Sequence, residues 1–175
     1  MHETMVLARQ LCLLATAIIC VYTDMARGKL YNGVTLGAAA AGLGFAWILD
    51  ASVPGLPNMQ AALLSALAGA GVLFLIYLSG GMGAGDVKLM LAVGLLAASW
   101  RFTLMALMYA ALAGAAISLG VLIWRGRLRE GLKGSLRALL TLKTRKDPST
   151  PTATIPYGVA IGIGVVWAWL EVVAL

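Results

Sequence analysis

Two aspartates, Asp24 and Asp86, are the residues in this chain whose type and position can do chemistry. Of the seven carboxylates, Glu3, Asp50 and Glu171 fall at one face of the apolar segments, and Glu130 and Asp147 fall in a polar loop, where water solvates them cheaply. Asp24 and Asp86 both lie at the opposite face from the first three. If helices bring two carboxyl groups to about 3 Å, both cannot ionise and the pair shares a proton. The ionised partner then takes a proton from a water attacking a peptide carbonyl. The protonated partner hydrogen-bonds the carbonyl oxygen and helps protonate the leaving amine. Other hydrolytic sets are missing from the residues: the sole histidine, His2, is at the wrong end of the chain, and there is no HExxH metal motif.

The surroundings of Asp86 are distinctive. Gly80, Gly81, Gly83 and Gly85 place four glycines in the six positions ahead of it, a backbone that can bend and approach another chain closely. The apolar run after it, Leu89 to Trp100, has twelve residues, about 18 Å of helix. The segment reaches membrane length only by starting near Met82, which puts Asp86 in the first turns of a membrane helix. An ionisable group there is costly and points to function or pairing. Lys88 is a nearby neutralising group, although positions i and i+2 do not face each other on a helix. A phosphate loop is a poor reading of the glycines, since the P-loop Lys-Ser/Thr is missing and no strand precedes them. Asp24 opens Asp24-Met25-Ala26-Arg27-Gly28-Lys29-Leu30-Tyr31-Asn32. Taken alone it reads as a surface ion pair with Arg27 or Lys29, or as a cap.

The elements that must position these acids are membrane helices. The 175 residues are 61% hydrophobic and 11% charged, less than half the roughly 25% charge of a soluble domain, which excludes a water-soluble enzyme and a disordered chain. One membrane-embedded domain over residues 1–175 is expected, all-α, with six spans: Met5 to Thr23, Gly33 to Leu49, Ala61 to Leu78, Met82 to Trp100, Phe102 to Trp124 and Ile155 to Val173. No basic cluster precedes the first run, so it reads as a retained helix. With alternating loops, eleven of the thirteen Lys and Arg residues share one face. The positive-inside rule makes that face cytoplasmic, with both termini outside and Asp24 and Asp86 inside. The basic balance is thus topological, and no nucleic-acid partner follows from it. Arg9 can snorkel to the outer interface.

The polar loop 125–154 carries Leu128, Leu132, Leu136 and Leu139 at helical spacing beside Arg129, Lys133 and Arg137. It predicts an amphipathic cytoplasmic helix on the lipid surface, with a solvated topogenic loop as the plainer reading. Cys12 and Cys20 read as small packing residues, and Gly158 and Gly162 have the spacing that lets helices approach closely.

Three patches resemble the type IV prepilin peptidase family of GxGD-type aspartyl proteases, in particular its short Tad/Flp pilus branch. They are Asp24 with Asn32 eight positions on, Gly83-Ala84-Gly85-Asp86-Val87-Lys88-Leu89, and Ile155-Pro156-Tyr157-Gly158-Val159-Ala160. The resemblance implies Asp24 and Asp86 as the catalytic pair. Gly83, Gly85, Lys88, Asn32, Pro156, Tyr157 and Gly158 would position the site or the substrate, with no metal and no cofactor. It also implies a substrate: a prepilin or pseudopilin precursor, cut at the cytoplasmic face of the bacterial inner membrane between a short leader and a hydrophobic helical stem. Contact with pilus assembly machinery would go with that. Tyr31 stands where the family often has Pro before the Asn, and the paired CxxC motifs of the long, methylating members are missing, so peptidase activity without methyltransferase activity is expected. The residues taken alone also admit a channel or small transporter using Asp24 and Asp86 as a cation or proton site.

Overall fold

Backbone amides in hydrocarbon have no water to bond, so apolar segments of this length satisfy them internally as helices. A computed structural model describes residues 2–52, 58–80, 82–124 and 157–174. These form α1 (His2–Arg27), α2 (Asn32–Ser52), α3 (Asn58–Leu78), α4 (Ala84–Ala97), α5 (Trp100–Trp124) and α6 (Tyr157–Ala174). Helices α1, α2, α3 and α5 are long and apolar enough to cross a membrane. Large apolar side chains face outward from them and from α6, among them Leu11, Ile18, Trp47, Leu67, Leu112 and Trp167. A surface of that kind is made for lipid.

The fourth segment differs from its expected extent. Instead of reaching from Met82 to Trp100, α4 has 14 residues. At its start Gly83 is extended, and at its end Ala98 turns left-handed (φ 49°, ψ 33°) and returns its N–H to the Gly94 carbonyl at 3.0 Å. That closing bond stops the helix two residues before α5 begins. The amphipathic helix expected in loop 125–154 lies outside the described residues.

Short as it is, α4 is the centre of the bundle. It packs against each of the other five helices, and every residue from Ala92 to Leu96 is buried. A helix apolar on all sides is stable only when so enclosed. One side of it joins a core with Leu13, Ala17 and Cys20 of α1, Phe102 and Ala106 of α5, and Ile161 and Val165 of α6. The buried Cys20 is the small packing residue expected. The other side meets an alanine seam of Ala39, Ala46, Ala62 and Ala66 from α2 and α3.

Small residues set how closely these helices cross. A Cβ on Gly94 would stand 2.5 Å from the Ala66 Cα and 2.8 Å from the Ser65 carbonyl carbon, so α3 and α4 touch backbone to backbone. Beside that crossing the Ser65 and Thr103 hydroxyls bond to each other at 2.7 Å, tying α3 to α5 in a buried position. At the far end of α2, the Asp50 carboxylate accepts the N–H groups of Asn58 (2.7 Å) and Met59 (2.9 Å), satisfying amides that the first turn of α3 leaves open. Asp50, which read as merely solvated, therefore joins two helices.

Gly94→Val should push α3 and α4 apart at their contact, since backbone cannot yield as a flexible side chain can. The expected loss is about 3 kcal/mol, seen as a lower thermal midpoint in detergent and less monodisperse protein. An unchanged midpoint would contradict the crossing.

Candidate active site

Asp24 sits in the last turn of α1, which ends where Gly28 takes φ +60° and returns its N–H to the Asp24 carbonyl at 2.9 Å. A side chain at Gly28 would be strained in that conformation. The Asp24 carboxyl group is buried, only 8% exposed. Arg27 is not its partner: its guanidinium donates to the Tyr31 hydroxyl and lies 5.6 Å from the Tyr31 ring centroid. The reading of Asp24 as a surface ion pair with Arg27 therefore fails. A negative charge at the C-terminal end of its own helix is unfavourable. It is met from another helix, as the Val159 N–H in the first turn of α6 donates to Asp24 Oδ2 at 3.3 Å. The open amides of a helix N-terminus suit an anion.

Gly158 makes that approach feasible. A Cβ there would lie 2.7 Å from Asp24 Oδ2 and 3.0 Å from its carboxyl carbon. One helical turn on, a Cβ on Gly162 would run into the Val21 side chain. The two glycines thus form the seam on which α1 lies against α6, as their spacing predicts, and the first of them also holds the space that the acid occupies.

Asp86 is in the first turn of α4, 9% exposed, with its own N–H bonded to the Gly83 carbonyl at 3.2 Å. Packing of α1 on α4 brings Asp24 near enough for the two carboxylates to repel each other when both are charged. The C-terminal end of α1 and the N-terminal end of α4 therefore deliver one acid each to the same end of the bundle.

The glycines before Asp86 divide into two kinds. Gly83 is exposed, and a Cβ on it would come within 3.3 Å of Asp86 Oδ2, so its bareness leaves the acid open. At Gly85 a Cβ would meet Leu30 at 3.3 Å. There the missing side chain seats the loop between α1 and α2 against α4. Lys88 does not neutralise Asp86 locally; its Nζ donates to Asn32 Oδ1 at 3.0 Å. That bond joins α4 to the start of α2 beside the acids and fixes both residues at the rim.

Tyr157 begins α6 and lines an apolar groove of about 560 Å³ between α3, α5 and α6. Met82, from the glycine-rich turn, lines it too, along with Ile76, Leu107, Ala111 and Gly114. The groove thus starts beside the turn that leads into Asp86 and the α6 end that meets Asp24. Pro156 lies outside the described residues. Val159 and Leu30 were not singled out by sequence. For Val159 a signal existed, because Pro156 followed by an apolar run marks a helix start with open amides. For Leu30 there was none, since its contact with Gly85 joins distant parts of the chain.

A lipid-facing helical bundle with four helices long and apolar enough to cross a bilayer, and two buried acids at one end, is a membrane protein. Residues 11–119, more than half of the chain and including both aspartates, match the type IV leader peptidase family, and the chain belongs to that family. It is therefore a protease of the prepilin leader type. No curated protein and no solved structure matches the chain.

Gly158→Ala places a methyl group where the Asp24 carboxylate now lies and should lower peptidase turnover by at least about tenfold, with little loss of helical content. Gly85→Ala meets only the flexible Leu30 side chain and should lose far less. Circular dichroism with a cleavage assay on the same samples distinguishes the two; equal activities would refute the assignment of Gly158.

Proposed function

We propose that this protein is an intramembrane aspartic endopeptidase that removes the leader peptide of type IV prepilins or pseudopilins of the Tad/Flp kind at the cytoplasmic face of the inner membrane. The observation that carries the reading is the pair of buried carboxyl groups, Asp24 and Asp86, on neighbouring helix ends within the family-matched residues. Eleven of the thirteen basic residues fall in the loops that six alternating spans would put on that side, which supports the cytoplasmic assignment.

In this mechanism the two acids hold one proton between them. The ionised carboxylate removes a proton from water as the water oxygen bonds to the scissile carbonyl carbon. The protonated acid transfers its proton to the carbonyl oxygen in the same step, giving a neutral tetrahedral diol. Collapse breaks the C–N bond, with a proton delivered to the departing amine, and the pair returns to its shared-proton state. The peptide must be extended around the cut, because helical carbonyls already accept hydrogen bonds. The exposed backbone at Gly83 offers such a strand a place beside Asp86. The apolar groove beyond Met82 and Tyr157 suits the hydrophobic stem that follows the leader. With no paired CxxC motif in the chain, the reaction ends at cleavage, without methylation.

Purified protein incubated with a prepilin should release the leader. Asp24→Asn and Asp86→Asn should each reduce the rate by at least about 100-fold while the fold persists. Ion flux across proteoliposomes without cleavage, or full activity in either variant, would sink the proposal. Ala111→Trp fills the groove from an exposed position and should raise KM for a stem-bearing precursor more than it lowers kcat. A pure kcat effect would place the stem elsewhere.

A further inference from the structure

Among the described residues, the buried side-chain nitrogens and oxygens that lack a hydrogen-bond partner are Nε and Nη1 of Arg9 and Nε1 of Trp169. All three are donors, and both residues line one cavity of about 370 Å³ between α1, α4, α5 and α6. Arg9 lies in the second turn of α1, fifteen residues from Asp24 and thus about 22 Å along the helix, so the cavity is at the end of the bundle opposite the aspartates. Arg9 does not simply reach out to the surface as expected of a snorkelling side chain, since two of its guanidinium nitrogens are enclosed.

A second cation borders the same space. Arg101, in the first turn of α5, lies over Trp100 at 5.5 Å from the ring centroid. The α5 N-terminus adds the positive end of its dipole, although the Phe102 N–H there already donates to Ser99 Oγ (3.4 Å). Glu171 is the opposing charge in the lining, and its Oε2 accepts the Tyr109 hydroxyl at 2.6 Å. Two guanidinium groups against one carboxylate leave the cavity net positive. Enclosed guanidinium N–H groups without an acceptor are a costly arrangement that an anion relieves.

We propose that this cavity binds the phosphate of an anionic phospholipid, held by Arg9, Arg101 and the Trp169 indole N–H. The walls favour a lipid over a free anion. Leu13, Phe102, Met105 and Val172 line the cavity beside the cations, a combination that suits a headgroup with hydrocarbon attached. The exposed Trp100 at the same end is a side chain typical of the bilayer interface. The site is independent of the peptidase reading, being built from other residues at the other end of the molecule.

The test uses the full chain, delipidated in detergent, with phosphatidylglycerol, phosphatidylcholine and inorganic phosphate as separate probes in native mass spectrometry and thermal-shift measurements. Phosphatidylglycerol should be retained over phosphatidylcholine and raise the thermal midpoint. Arg9→Gln and Arg101→Gln should each bind it about tenfold more weakly, the loss of one charge-assisted hydrogen bond. The comparison with wild type removes the contribution of the basic residues between 125 and 146, which are common to all samples. Arg101 is exposed, so its variant carries the test if Arg9→Gln does not fold. Equal retention of the two lipids, or unchanged phosphatidylglycerol binding in Arg101→Gln, overturns the proposal. Displacement of the lipid by millimolar inorganic phosphate would assign the cavity to the free anion instead.

Discussion

Two carboxyl groups withdrawn from water at one end of an apolar bundle set the conditions that the surrounding structure has to meet. A charge in that position is tolerated only where neighbouring dipoles or a shared proton compensate for lost hydration. Here the compensation comes from helix ends. Asp24 draws on an open amide in the first turn of α6, and Asp86 occupies the first turn of α4, where a negative charge is favoured. Each acid also acts on the other, so neither has an environment that can be described alone.

Those helix ends meet only because the helices are bare where they cross. Gly158 clears the space for Asp24, and Gly94 lets α4 touch the α3 backbone. In lipid, apolar side chains gain little by leaving the solvent, so close contact between backbones and small side chains carries the association. The alanine seam between α2, α3 and α4 follows the same logic. Two polar bonds, Ser65 to Thr103 and Lys88 to Asn32, then fix register at a buried crossing and at the rim of the acidic end.

Much of this was legible in the sequence. Hydropathy located the helices to within a few residues, and Asp24 and Asp86 stood out because carboxylates are rare where apolar runs begin and end. Long-range contacts were not legible. Asp50 looked like a solvated acid because its partners, the Asn58 and Met59 amides at the start of α3, belong to the next helix. Lys88 looked like a neighbour for Asp86, yet it reaches Asn32, 56 positions away. The stretch 80–85 read as uniformly glycine-rich, although Gly83 serves openness and Gly85 serves packing. Composition reports that a side chain is missing; only the neighbour across the interface tells what the vacancy is for.

The length of α4 ties the two ends of the molecule together. At 14 residues it is about 21 Å long, some 9 Å short of a hydrocarbon layer about 30 Å thick. Its longer neighbours overhang it at both ends. Asp86 stands in its first turn, while Leu96 and Ala97 at its other end line the cavity that Arg9 and Arg101 border. A single undersized strut thus leaves room at both of its ends for polar groups inside an otherwise apolar bundle.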